Sequence, residues 1–173
     1  MRKIGILGGS FDPVHAGHLM MAESAAGAFE LDKVIFVVAN QSPFKKVKAT
    51  AQDRLSIIKA AIKSNSRLAV SDIELKRGGI SYTADTLGHF KKTCPRAELF
   101  LIIGDDLTAG LSRWRNIAAV KKCARFIVIE RGWFDVSSTL IRRRLRQKKS
   151  IRYLTTDAVI KYINRHHLYQ ESS

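Results

Sequence analysis

Near its start the chain reads Gly8-Gly-Ser-Phe-Asp-Pro-Val-His-Ala-Gly-His18, with two imidazoles three residues apart just after a glycine pair. His15 and His18 are donors of the kind that grip phosphate oxygens and stabilise the charge growing on a phosphorus centre under attack. The glycines suit the same task, because a backbone without Cβ can turn sharply and come close to a ligand. A helix beginning here would add free N–H groups and a partial positive charge. Two readings compete: a tight turn whose histidines sit in the core or cap the helix, and a metal pair. The metal pair lacks a third ligand nearby in sequence. Neither the dinucleotide fingerprint GxGxxG nor the Walker A lysine is present, so a phosphate site here is of another type.

The elements that must hold such a loop can be read from apolar periodicity. Lys3–Leu7 reads as a buried strand, followed by a helix from about Gly17 to Phe29 with Leu19, Met20, Glu23, Ala26 and Gly27 on a small apolar face. "KVIFVVA" (Lys33–Ala39) is nearly continuous in apolar residues, as a parallel strand buried on both faces should be. Gln52–Ser64 repeats Leu55, Ile58, Ala61 and Ile62 at helical spacing, and Arg67–Leu75 alternates like a strand. Thr83–Thr93 suits a helix that stops before Pro95, and Glu98–Gly104 and Arg125–Glu130 read as two more buried strands. Helices near Ser138–Lys148 and Thr156–His167 close the chain. The alternation predicts an α/β fold, a Rossmann-like doubly wound parallel sheet of about five strands with helices on both faces. It predicts one domain over residues 1–173, including the C-terminal helices from about 138. Ligands of such sheets lie beyond the carboxyl ends of the strands, near the switch in strand order, which is where Leu7-Gly8-Gly9 ends.

Composition sets outer bounds. At 173 residues, 46% hydrophobic and 26% charged, the chain suits a soluble globular protein. No apolar run approaches the ~18 residues of a membrane span, and the apolar patch at the N-terminus is too brief for a signal peptide. A cytoplasmic location is expected, with no membrane partner. Cys94 and Cys123 stand far apart, which leaves no CxxC pair and no four-cysteine zinc site. The net charge of +15 is concentrated late: residues 121–173 carry +9 and residues 1–120 carry +6. A field of that sign favours anionic partners, among them nucleotides, pyrophosphate, nucleic acid and acidic lipid. A solvated basic helix face accounts equally well for most of the arginines in "IRRRLRQKK".

The HxGH spacing after a glycine loop resembles the signature of the nucleotidylyltransferase superfamily, which shares it with class I aminoacyl-tRNA synthetases. Further segments resemble the bacterial nicotinate-nucleotide adenylyltransferases: "SPFKK" (Ser42–Lys46), "ISYTADTL" (Ile80–Leu87), "LIIGDD" (Leu101–Asp106), "LSRW" (Leu111–Trp114), "VSSTLIRRRL" (Val136–Leu145) and "YLTTDAVIKYINRHHLY" (Tyr153–Tyr169). The similarity runs along nearly the whole chain. It implies transfer of AMP from ATP to nicotinate mononucleotide, with release of pyrophosphate, in NAD biosynthesis. Mg²⁺ is expected to arrive with the triphosphate, with no metal ligands of the protein's own. By resemblance His15, His18 and Arg142 are catalytic. Gly8, Gly9, Ser10, Phe11, Lys45, Gly104, Asp106, Ser138 and Thr139 bind ATP, and Tyr82, Thr83 and Trp114 bind the acceptor.

Each implied role has a physical form. Lys45 is a point charge suited to a triphosphate. Asp106 is a carboxylate at a strand end, able to accept from ribose hydroxyls. Ser138, Thr139 and Arg142 lie at a helix start, a phosphate site with a guanidinium fork. Trp114 offers a flat face to a pyridinium ring, or else packs in the core. Ser138-Thr139 also suits an ordinary N-cap, and Tyr82 also suits the core. Two departures from the family pattern stand out. Phe44 occupies the place where many relatives have histidine, and only Gly132-Trp133-Phe134-Asp135 separates Glu130-Arg131 from Val136-Ser137-Ser138, where relatives hold a longer segment. The rival readings are phosphopantetheine or nicotinamide mononucleotide adenylyltransferase, and a non-catalytic nucleic-acid-binding domain. The last is disfavoured because Arg142–Arg146 contains no aromatic residue for base stacking; no nucleic-acid partner is expected. Oligomeric state has no signature in the sequence.

Overall fold

The computed structural model describes residues 1–43, 46–130 and 136–170. The elements run β1 (Lys3–Gly9), α1 (Ala16–Ala28), β2 (Lys33–Val38), α2 (Ala51–Ile62), β3 (Leu68–Ser71), α3 (Ile73–Arg77), α4 (Thr83–Thr93) and β4 (Glu98–Gly104). A 3₁₀ turn (Asp105–Arg113), α5 (Ile117–Cys123), β5 (Arg125–Ile129), α6 (Ser138–Arg146) and α7 (Asp157–Arg165) complete the described chain. Among the described residues the sheet has five strands in the order β3-β2-β1-β4-β5, and all the pairings are parallel. The chain winds outward from β1 to β3, then restarts on the other side of β1 at β4. The crevice between the carboxyl ends of β1 and β4 is therefore the topological switch point, bounded by Gly8-Gly9 and Gly104.

Strand alternation divides the core into two layers. Ile4, Ile6, Leu99, Leu101 and Ile103 face α4 and α5, where Leu87, Phe90 and Val120 meet them. Phe100, Ile102, Val34 and Phe36 face the other way, toward α1, α2, α6 and α7, where Met21, Ile58, Ile141 and Val159 are buried. Helices on both faces are thus required, since each strand buries side chains on either side. No helix among the described residues is long and apolar enough to cross a membrane.

Several sequence expectations need correction. β1 continues through Gly9, so the glycine pair is strand and not turn; neither glycine has a positive φ, and the chain turns at Phe11 (φ 49°). Arg67–Leu75 is not one strand. It is β3 followed at once by α3, because at Ser71 the pairing with β2 ends. The buried face of α1 is Met21, Ala22, Ala25 and Ala26, whereas Met20 is 56% exposed. This helix is apolar nearly all round, so its periodicity could not choose a face. The 3₁₀ turn and α5 were not foreseen; at nine and seven residues they are too short for periodicity to register.

Candidate active site

A cleft of about 550 Å³ opens at the switch point. Among its lining residues are Gly8, Gly9, Ser10, Phe11, His15, His18, Tyr82, Thr83, Gly104, Asp106, Trp114, Ser138, Thr139 and Arg142. Every site residue expected from the sequence is there except Lys45, which lies, like Phe44 and the shortened segment at 131–135, outside the described residues. Five separate segments converge on one concavity.

The histidine loop is built from the end of β1 into α1. Gly9 lies against the Phe11 ring so closely that a Cβ would come within 2.9 Å of it, and at Gly17 a Cβ would stand 3.2 Å from the His15 ring. Both glycines keep room for rings. Phe11 is 2% exposed, packed on Phe36 and meeting His18 edge-on at 5.0 Å. Its ring therefore supports the loop from beneath. His15 is the residue before α1 and is 1% exposed; its ring stacks on His18 with centroids 3.7 Å apart. The His15 backbone N–H donates to Nδ1 of His18 (3.3 Å). With Nδ1 accepting, the His18 ring proton belongs on Nε2, which makes Nε2 a donor. Capping and phosphate handling are thus compatible in one residue: one nitrogen serves the helix end, and the ring lines the cleft.

Behind this loop lies an ionic cluster that sequence reasoning missed. Asp12, 4% exposed, accepts from the backbone N–H groups of Lys48 (2.7 Å) and Ala49 (3.0 Å). Arg142 Nη1 lies 3.7 Å from the Asp12 carboxylate and donates to the Asp12 carbonyl at 2.6 Å, while its Nη2 donates to Thr139 Oγ1 at 3.2 Å. The guanidinium is thereby fixed at the cleft wall. Arg54 is 1% exposed and spends its donors on backbone carbonyls of Ser10 (2.7 Å), Ala39 (2.8 Å), Asn40 (3.2 Å) and Ala49 (3.4 Å). It ties the loop after β1 to the loop after β2. Burial lowers the Arg54 pKa, and nearby Asp12 works in the opposite sense. Arg54 was hidden in the sequence because it occupies an unremarkable place in an amphipathic helix; Asp12 was visible in the motif, but its role depends on contacts across 36 and 130 residues.

The start of α6 also differs from expectation. Its N-cap is Ser137, whose hydroxyl accepts from the Leu140 N–H at 3.2 Å. Ser138 instead donates to the Pro13 carbonyl at 2.8 Å. Ser138 thus links α6 to the histidine loop, and the cap falls one residue earlier.

On the other side of the cleft, Gly78 (φ 71°) and Gly79 (φ 65°) swing the chain from α3 into the Ile80–Thr83 stretch, a left-handed conformation that glycine adopts at least cost. That stretch is anchored to the loop after β2: Asn40 donates its backbone N–H to Ser81 Oγ (2.9 Å), and the Ser81 N–H donates to the Gln41 carbonyl (2.8 Å). Behind it Glu74 is buried, accepts the Thr86 hydroxyl, and lies 4.0 Å from Arg77. Trp114 ends the 3₁₀ turn after β4 and is half-buried. It packs on the α4/α5 layer while lining the cleft, so both roles considered for it are geometrically open. Asp106 is exposed at the cleft rim, beyond Gly104.

Comparison with known proteins agrees with this geometry. The cytidylyltransferase-like family profile matches residues 6–144. A protein of Opitutus terrae named "Probable nicotinate-nucleotide adenylyltransferase" is 39% identical over 98% of this chain and 99% of its own length. One of the same name from Bacillus pumilus is 39% identical over 98% of this chain and all of its own. In fold, the chain matches the Plasmodium falciparum nicotinic acid mononucleotide adenylyltransferase solved with NaAD at a TM-score of 0.80, with 19% identity and 98% of each chain covered. The glycine strand end, the paired imidazoles and the α6 arginine thus meet in one cleft of a chain that belongs to the cytidylyltransferase-like nucleotidyltransferases and, within them, to the nicotinate-nucleotide adenylyltransferase family.

Proposed function

We propose that this enzyme transfers AMP from ATP to nicotinate mononucleotide, giving nicotinate adenine dinucleotide and pyrophosphate. The observation that carries the reading is the convergence of the loop donors and Arg142 with Tyr82, Thr83 and Trp114 on one cleft at the switch point. A phosphate oxygen of the acceptor attacks the α-phosphorus in line; the new O–Pα bond forms as the bond from Pα to the bridging oxygen breaks, and pyrophosphate leaves with the electron pair. A phosphate monoester is largely ionised near pH 7, so the attack needs no strong general base. The cleft matches that demand with donors and cations. His18 Nε2 and the Arg142 guanidinium stabilise the charge on the phosphorus centre, while the β1 end and the N-terminus of α6 orient the chain of phosphates. Mg²⁺ enters as part of the nucleotide substrate, held by phosphate oxygens and water. Among the described residues no three His, Cys, Asp or Glu side chains converge to hold a metal of their own.

The test is pyrophosphate release from ATP and magnesium in the presence of nicotinate mononucleotide, nicotinamide mononucleotide or phosphopantetheine, each offered singly. Turnover with nicotinate mononucleotide at least tenfold above the other two is expected. Preference for phosphopantetheine would reassign the acceptor, and no pyrophosphate with any of them would remove the reaction.

A further inference from the structure

The basic stretch at the end of α6 has, apart from Arg142, no part in the transfer reaction. Residues 136–156 hold seven arginines and lysines and no aspartate or glutamate. Arg144 is pinned, donating its Nε–H to the Ser150 carbonyl at 2.6 Å. Arg143, Arg146, Lys148, Lys149 and Arg152 are exposed, and none of them lines the cleft. Among the described residues no carboxylate forms an ion pair with any of these five. Cations in the last turn of a helix answer its dipole, which accounts for Arg143 and Arg146. It does not account for Lys148, Lys149 and Arg152, which lie beyond the helix end.

Backbone bonds make this segment compact. The Lys148 N–H donates to the Leu145 carbonyl (2.9 Å) and the Lys149 N–H to the Arg144 carbonyl (2.8 Å), closing α6 with Lys148 in the left-handed region (φ 53°). A turn follows, in which the Leu154 N–H donates to the carbonyl of buried Ile151 (3.1 Å). The Leu154 carbonyl accepts from the Ala16 N–H at 2.9 Å, which fastens the turn to the start of α1. At its corner stands Tyr153, with φ 66° and 86% exposed. Glycine takes that conformation at least cost, and a ring left in water gains nothing from burial. Neither the backbone nor the core explains a tyrosine there.

Cations without counter-charges beside a bare aromatic ring are the two parts of a single-strand platform: the cations take backbone phosphates, and the ring takes the face of a base. Arg142–Arg146 contains no aromatic residue, but the turn supplies one directly after Arg152. An acidic peptide would use the cations and leave the ring without a role. A membrane surface would need more apolar side chains than one tyrosine, and Leu145, Ile151 and Leu154 pack inward. Unpaired bases are offered chiefly by the loops and ends of RNA.

We infer that the segment from Arg143 to Tyr153 is a docking surface for single-stranded RNA, separate from the nucleotide cleft, in which the exposed cations hold phosphates and Tyr153 stacks on a base.

The experiment follows the fluorescence anisotropy of an end-labelled, unstructured RNA of about 12 nucleotides, titrated with the full chain while excess ATP and Mg²⁺ fill the cleft. Binding is expected with a Kd on the order of 10⁻⁵ M at about 0.1 M salt. Log K should fall with log salt at a slope of about −2 to −3.5, as three to five phosphate contacts on a single strand require. Replacing Lys148, Lys149 and Arg152 together by glutamine should reduce that slope by about 2. Tyr153→Gly relieves the backbone while removing the ring; it should weaken binding by roughly 5- to 150-fold with the slope unchanged, and Tyr153→Phe should keep the wild-type affinity. All these side chains are exposed, so the thermal midpoints of the variants should stay near that of the wild type. The inference is overturned by an absence of binding, by binding that ATP abolishes, or by equal affinity for a duplex of the same length. A DNA strand held more tightly than the RNA, or a Tyr153→Gly variant that binds like the wild type, would also overturn it. Co-sedimentation with phosphatidylserine vesicles, without binding to RNA, would give the surface to a membrane instead.

Discussion

His18 Nδ1 takes the backbone N–H of His15, and that one contact decides which ring nitrogen carries the proton. An alanine at 18 removes both the contact and the donor, and the two losses are separable. The cap contributes about 1 kcal/mol to stability, whereas a donor to a phosphorus centre in its transition state is worth on the order of 10²–10³ in turnover. His18→Ala should therefore lose kcat by that factor while still unfolding cooperatively, near the wild-type midpoint. Turnover within a few-fold of wild type would take the ring out of the chemistry. His15, 1% exposed, is the partner that fixes the His18 ring plane through stacking.

At the scale of elements, the cleft depends on loops held in register by residues outside it. Arg54 on α2 reaches the ends of both β1 and β2, with short donations to Ser10 and Ala39. Replacing it with methionine keeps much of the volume but strands four backbone carbonyls and removes a cation from beside Asp12. Arg54→Met is expected to destabilise by about 3 kcal/mol in denaturant unfolding; a loss under 1 kcal/mol would mean that the loops hold themselves. Ser137→Ala makes a contrasting case. It removes only the α6 cap, with an expected cost of about 1 kcal/mol. Because α6 carries Arg142 to the cleft, the same variant should raise the KM for ATP a few-fold. An unaltered KM would show that the Ser138 bond to Pro13 seats this helix without the cap.

For the whole molecule, the C-terminal segment returns to the loop between β1 and α1, where Thr155 donates its hydroxyl to the Val14 carbonyl. Tyr169, near the C-terminus, packs against the layer that contains Phe11 and Val14, and its hydroxyl is buried with no hydrogen-bond partner of good geometry. Burial first, and then the neighbouring Asp12 carboxylate, raise its pKa well above the ordinary phenol value. The folded protein keeps this proton at pH values where the unfolded chain, titrating near 10, has lost it. Stability from this group is thus complete below about pH 10 and declines as pH rises beyond it. Tyr169→Phe has no such proton. The difference in unfolding free energy between the two proteins should be flat from pH 7 to 9.5, and should shift in favour of the phenylalanine variant by pH 11. A gap that stays constant across that range would show that the phenol ionises alike in both states.

How much of this was legible beforehand follows from the range of the interactions. The sequence by itself determined the strand and helix alternation, since β2 and β4 are unbroken apolar runs bounded by turns. It also determined the motif residues, because glycines, imidazoles and the Ser-Ser-Thr-x-Ile-Arg stretch carry their chemistry in adjacent positions. Only the tertiary structure decided which face of α1 is buried, that the Gly8-Gly9 pair is strand, and that Ser137 rather than Ser138 caps α6. It alone joined Asp12, Arg54, Arg142 and Tyr169 into one cluster, and laid the Arg115 guanidinium over the Tyr82 ring. Those relations join residues 27 to 157 positions apart, and a local pattern holds no record of which side chains the closing of the sheet brings together.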